Sequence, residues 1–223
     1  MKSFPVIVTS LILALSTNAQ AQGADTTVNN APKNDVPRTE CSLSAHLGYS
    51  RLLEEAVGLS NASKGHNNKL RSMFAADLQF EVRIAWFSCG VLFLSYVSIG
   101  STEHTTDRVA IYSFMPQFGF YIIKPQPSRI AVKMQTGMGY AIYENNSTVF
   151  GQKRLAHQNC FAMSSSLSGL YRLSSHLSLS LEARYFASGH MHFNVNYHEQ
   201  SFIVYQPFLL LQVGIMAGVN YTF

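Results

Sequence analysis

Charge is the scarcest ingredient of this chain. Asp, Glu, Lys and Arg make up 13% of its 223 residues, about half the share of an ordinary soluble domain. The basic residues form no cluster or stripe, so the formal net charge of +4 implies no nucleic-acid partner. Cysteine is equally sparse. Cys41, Cys89 and Cys160 are too few for a disulfide scaffold and lack the CxxC spacing of zinc or redox sites. There is one Trp. Uninterrupted apolar runs are short, and mean hydropathy is only +0.07, which argues against a bundle of membrane-spanning helices. Yet 47% of residues are hydrophobic and 12% aromatic, so the chain is not intrinsically disordered either. Low charge, many aromatics and middling hydropathy together describe a chain in which every second residue faces an apolar medium.

The N-terminus is read first and set aside. Lys2 opens it, Val6 to Leu15 is apolar apart from Thr9 and Ser10, and Ala19-Gln20-Ala21 fits a small-x-small cleavage pattern. Residues 1–21 therefore read as a signal peptide rather than a buried helix. The absence of cysteine at the cleavage point gives no support to a lipid anchor. Residues 22–40 hold Asn, Asp, Thr and two Pro with little that is large and apolar. They read as a flexible periplasmic lead.

From Cys41 to Phe223 the dominant pattern is alternation with period two. In the last stretch Leu209, Leu211, Val213, Ile215, Ala217, Val219, Tyr221 and Phe223 share one face. Segments at 42–50, 73–84, 110–122, 129–142, 161–173 and 177–187 repeat the pattern, and an eighth at 90–100 is placed by its neighbours. The connections at 86–89, 124–128 and 174–176 are short, while those at 51–71, 101–108, 144–159 and 188–206 are longer. Brief turns at one rim and long loops at the other predict an all-β, eight-stranded antiparallel up-and-down transmembrane β-barrel over residues 41–223. The uncharged stretch Ile84 to Thr102 is long enough for a membrane helix, but its Ser and Gly content and the strand before it favour a hairpin.

The charges that do occur fall on the polar side of their strands. Asp77, Glu81, Arg83, Arg129, Lys133, Arg172, Glu182 and Arg184 are expected to point inward as a lumen polar network. A charge facing lipid at the bilayer midplane costs about 2–4 kcal/mol, and eight strands enclose just enough room for such side chains. His46 belongs to the same inner face and reads as a hydrogen-bonding partner. Cys41 and Cys89 fall near one rim, where a bridge is conceivable, and Cys160 near the other.

The cleavable leader, the alternating strands and the end motif Val219-Asn-Tyr221-Thr-Phe223 resemble the small outer-membrane β-barrels, such as the OmpA transmembrane domain, OmpX and the porin-family barrels. The likeness covers Cys41–Phe223 and rests on architecture and the C-terminal motif, with no peptidoglycan-binding domain after the barrel. It implies a bacterial outer-membrane location, lipid and the barrel-assembly machinery as partners, Val219, Tyr221 and Phe223 as the assembly signal, and loops that meet a surface ligand. It implies a non-enzymatic envelope protein with no cofactor, serving membrane integrity or surface interaction. A small-solute porin is one alternative. A lipid A-modifying enzyme of deacylase or acyltransferase type is the other. It would use Ser188, His190 and Glu199, the nucleophile, base and acid that such chemistry needs, in a loop that also carries His192 and His198. The His-x-Ser-Asn signature of the deacylases is absent. An H-x-H pair without a third ligand is weak evidence for metal, and the Asn-X-Ser/Thr triplets at Asn61, Asn145, Asn146 and Asn220 have no use in this setting.

Overall fold

Where one face of a strand meets lipid and the other a packed interior, alternation fixes both the strand and its register. The computed structural model describes residues 39–53, 72–101, 105–125, 128–149, 151–197 and 200–223. They form β1 (Thr39–Leu52), β2 (Ser72–Ile84), β3 (Phe87–Ser101), β4 (Thr105–Ile123), β5 (Ile130–Val149), β6 (Gln152–Arg172), β7 (Leu177–Tyr197) and β8 (Gln200–Thr222). Each strand pairs antiparallel with the next, and β8 closes on β1. The fold is thus an eight-stranded up-and-down barrel, as the alternation predicts. Residues 84–101 form the favoured hairpin, the end of β2, a turn and β3, and not the alternative helix. Among the described residues no helix is long and apolar enough to cross a membrane.

The stagger follows from the pairing. Stepping from Ala45 through Leu78, Phe93, Phe114, Tyr140, Phe161 and Gly189 leads to Leu209, whereas Ala45 itself closes on Val219, ten residues further along β8. Closure with such a stagger tilts the strands about 35–45° from the axis. The outward face carries two aromatic rings. Trp86, Phe87, Phe120, Tyr171 and Tyr221 lie toward the rim of the short turns, and Tyr49, Phe74, Tyr112, Tyr140, Phe161 and Tyr185 lie toward the other. Phe161 and Tyr171 are ten residues apart on β6, about 33 Å along a strand and about 25 Å along the axis at that tilt. This matches the apolar band of a membrane barrel, about 25 Å tall and edged by aromatic girdles. At the lower ring Trp86 stacks on Phe120 at 6.1 Å, and the Lys124 ammonium sits 4.0 Å over its indole.

Two expectations are corrected. The turn expected at 86–89 is the two-residue Ala85–Trp86 hairpin, with Phe87, Ser88 and Cys89 already in β3. The long connections are largely strand. β5 and β6 remain paired up to Val149 and Gln152, β7 and β8 up to Tyr197 and Gln200, and β3 and β4 up to Ser101 and Thr106. These ends lie beyond the lipid band, where the long alternation that marks a membrane strand gives way to mixed polar and apolar sequence although the pairing continues. At the other end β1 begins at Thr39, two residues inside the expected lead. Residues 54–71, the bulk of the first outer connection, lie outside the described residues, as do the signal peptide and most of the lead.

Candidate functional site

The interior is layered. Between the aromatic rings, among the described residues, no Asp, Glu, Lys or Arg side chain faces outward, and the inward positions hold the charge. Register brings the charged residues together: His46 pairs with Asp77 across β1 and β2, and Ser168 with Glu182 across β6 and β7. Arg184 is the hub. Its Nη2 donates to Asp77 Oδ2 at 2.9 Å and its Nε to Glu182 Oε1 at 2.6 Å. Glu182 also accepts from Ser168 Oγ at 2.9 Å and Gln79 Nε2 at 3.2 Å. His46 Nδ1 lies 2.6 Å from Asp77 Oδ1. A second knot surrounds Glu81, which accepts from Lys133 Nζ at 2.8 Å, Gln135 Nε2 at 2.7 Å and the Tyr121 hydroxyl at 2.7 Å. Three carboxylates, two fixed cations and His46 thus share a region from which solvent is nearly excluded.

Of the eight charged residues expected inside, Asp77, Glu81, Lys133, Glu182 and Arg184 form these two knots. Arg83 sits lower, ion-paired with Glu40, its guanidinium 5.3 Å from the Tyr121 ring centre. Arg129 stands just before β5 and is exposed, and Arg172 ends β6 half-buried. These last three belong to the mouth of the barrel rather than its centre. The partners Gln79, Gln135 and Tyr121 were not singled out from sequence. Their parity with Glu81, Lys133 and Gln117 was the available signal.

Toward the outer rim the interior changes character. Met73, Leu92, Leu94, Tyr96, Ile111, Met115, Phe186 and Leu210 are fully buried and pack as one cluster. Tyr96 meets Phe186 edge to face at 5.1 Å. The expectation of a charged lumen named no apolar layer; the structure shows a charged layer beneath an apolar one. Several inner positions are glycine for want of room. A Cβ on Gly218 would stand 2.5 Å from the His46 ring and collide with the Ala45 carbonyl.

The residues considered for catalysis are only partly described. Ser188 points inward, 1% exposed, and hydrogen-bonds the Cys160 thiol. His192 is exposed on β7, its ring near Tyr205. His190 pairs along the backbone with Phe208, and His198 and Glu199 lie outside the described residues. His46, Asp77 and Glu182 have ligand atoms close enough together for a cation, but Arg184 already occupies the space between the two carboxylates. Cys41 and Cys89 are both paired across from Val82, on opposite sides of it. Two strand spacings place their Cα atoms about 9–10 Å apart, too far for a disulfide, and none of the three cysteines is in a disulfide.

Closed antiparallel form, eight strands, aromatic rings and an inward-facing polar layer define a small outer-membrane-type β-barrel. Neisserial surface protein A has the same fold, with a TM-score of 0.56 at 12% identity over 82% of this chain and 97% of that one. A major outer membrane protein of Thermus thermophilus matches at 0.54 and 11%, covering 82% and 99%. Ail, the attachment invasion locus protein of Yersinia pestis, matches at 0.51 and 12%, covering 82% and 98%. No protein-family model and no curated protein matches the sequence.

Proposed function

We propose that the protein is a non-enzymatic, non-conducting barrel of the bacterial outer membrane that holds an ordered β-sheet above the membrane for contact with a ligand outside the cell. On this reading residues 1–21 direct export, and the barrel-assembly machinery inserts the chain by its Val219, Tyr221 and Phe223 signal. The charged layer and the apolar layer above it plug the lumen. The observation that carries the surface role is the excess length of the later strands. β5 to β8 run 20 to 23 residues, whereas a tilted crossing takes about 9–11. Their outer halves are paired hairpins, so recognition groups there are held on a rigid support. Phe202, Ile203 and Tyr205 are exposed on the outer half of β8, beyond the last described backbone contact with the β1 end, Leu53 N–H to the Leu211 carbonyl. Exposed apolar side chains on a strand outside lipid are an interaction surface by their physics. The burial of Ser188 speaks against the lipid A-modifying reading, and the filled lumen against the porin.

The test uses a strain lacking the protein, complemented with the wild type or with Phe202→Asp/Tyr205→Asp. The variant is expected to reach the outer membrane and restore detergent resistance while attachment to immobilised matrix protein falls to the level of the deletion. Attachment equal to the wild type in a strain carrying the variant would overturn the surface role.

A further inference from the structure

At the rim of the short turns the barrel opens into a cavity of about 50 Å³ that takes no part in the two central knots. Its floor is Tyr121, Ala131 and Leu170, and its walls carry Arg83, Arg129 and Arg172 against a single carboxylate, Glu40. Glu40 is committed: it is ion-paired with Arg83, and the two residues face each other across β1 and β2. Arg83 is further held by the Tyr121 ring, whose hydroxyl is in turn bonded to Glu81. Arg129 and Arg172 are neighbours, since the Arg172 backbone N–H donates to the Arg129 carbonyl at 2.8 Å. Two arginines on adjoining backbone thus line one mouth, with no carboxylate other than the committed Glu40 among the lining residues to neutralise them. Like charges so placed call for an anion.

Size and chemistry narrow the anion. On the measure of about 10–15 Å³ per water, the cavity takes about three to five waters, enough for one small tetrahedral oxyanion and too little for a sugar or a nucleoside. Guanidinium forks match phosphate oxygens in pairs, which an ammonium does not. Hydroxyl donors of Ser42 and Ser178 stand on the same walls. Outside the barrel at this level lies the lower aromatic ring, with Tyr171 next to Arg172 in sequence, so the mouth is at head-group height. We propose that the turn-rim mouth is a binding site for a phosphate group, gripped by Arg129 and Arg172 beside the fixed Arg83–Glu40 pair. Free phosphate and the phosphomonoester head group of an inner-leaflet lipid offer the same chemistry.

The refolded full chain in a zwitterionic detergent is titrated with inorganic phosphate by calorimetry, at low and high salt. The wild type is expected to bind one phosphate, and Arg129→Gln/Arg172→Gln to bind at least tenfold more weakly. Arg154→Gln at the outer rim removes the same kind of charge and should bind as the wild type does. Heat-dependent gel mobility verifies that each variant is folded, and the exposed Arg129→Gln alone serves if the double variant is not. In nanodiscs, competition by phosphatidic acid over phosphatidylcholine identifies the lipid as source, and undiminished phosphate binding identifies the free ion. Equal binding by wild type and double variant, or displacement by acetate at the same concentration as phosphate, would overturn the site.

Discussion

Ala85 has a backbone φ of 57°, in the left-handed region where a Cβ costs an L-residue about 1–2 kcal/mol. It occupies the first position of the two-residue turn between β2 and β3, where glycine is the usual solution. Ala85→Gly is therefore expected to stabilise the folded barrel by up to about 1 kcal/mol, read as a higher urea midpoint in bilayer refolding; an unchanged or lower midpoint would show that the turn carries no strain. Arg184 is the opposite case, a single side chain on which two buried carboxylates depend. Arg184→Met leaves Asp77 and Glu182 facing each other without a cation. Breaking a buried pair from one side costs about 3–5 kcal/mol, so the variant should lose most of its equilibrium stability, whereas Arg154→Met at the outer rim should change it by less than about 1 kcal/mol.

At the scale of the strand, position relative to lipid decides what a substitution does. Leu167 is exposed on β6, six residues from Phe161 in the upper ring and four from Tyr171 in the lower. Phe202 is exposed on β8, nineteen residues from Tyr221, and thus well beyond the band. Leu167→Arg should cost about 2–4 kcal/mol in bilayer unfolding and Phe202→Arg about 0–1. Equal costs at the two positions would contradict this placement of the membrane. The same division explains what was legible. Within the band, Phe74 to Ile84 and Leu209 to Tyr221 alternate because one face meets lipid, and both strands are readable from sequence. Beyond it, Glu144-Asn-Asn-Ser-Thr-Val is a strand held by backbone pairing with no apolar face to announce it, so it reads as a loop, and the brief alternation of Phe193, Val195 and Tyr197 is masked by the polar, His- and Asn-rich stretch around it.

For the molecule as a whole, parity was enough to place the charges inside but not to sort them. Asp77, Glu81, Glu182, Lys133 and Arg184 meet because the stagger of the barrel brings β2, β5 and β7 to one height, a quantity no single strand encodes. Arg129 and Arg172 share the inward parity yet sit at the end of their strands, and so belong to the mouth. The apolar layer above the charges was hidden for another reason: on β3, Leu92, Leu94 and Tyr96 face inward while Val91, Phe93 and Val97 lie on the outer face, and a strand apolar on both faces gives no direction. The two layers together underlie the central proposal, that the lumen is plugged and does not conduct. The direct measurement is conductance of the refolded wild type in planar lipid bilayers at high salt. The account predicts insertion, verified by the heat-dependent gel shift of the same preparation, without stepwise current. A large, stable conductance from the inserted wild type would contradict it.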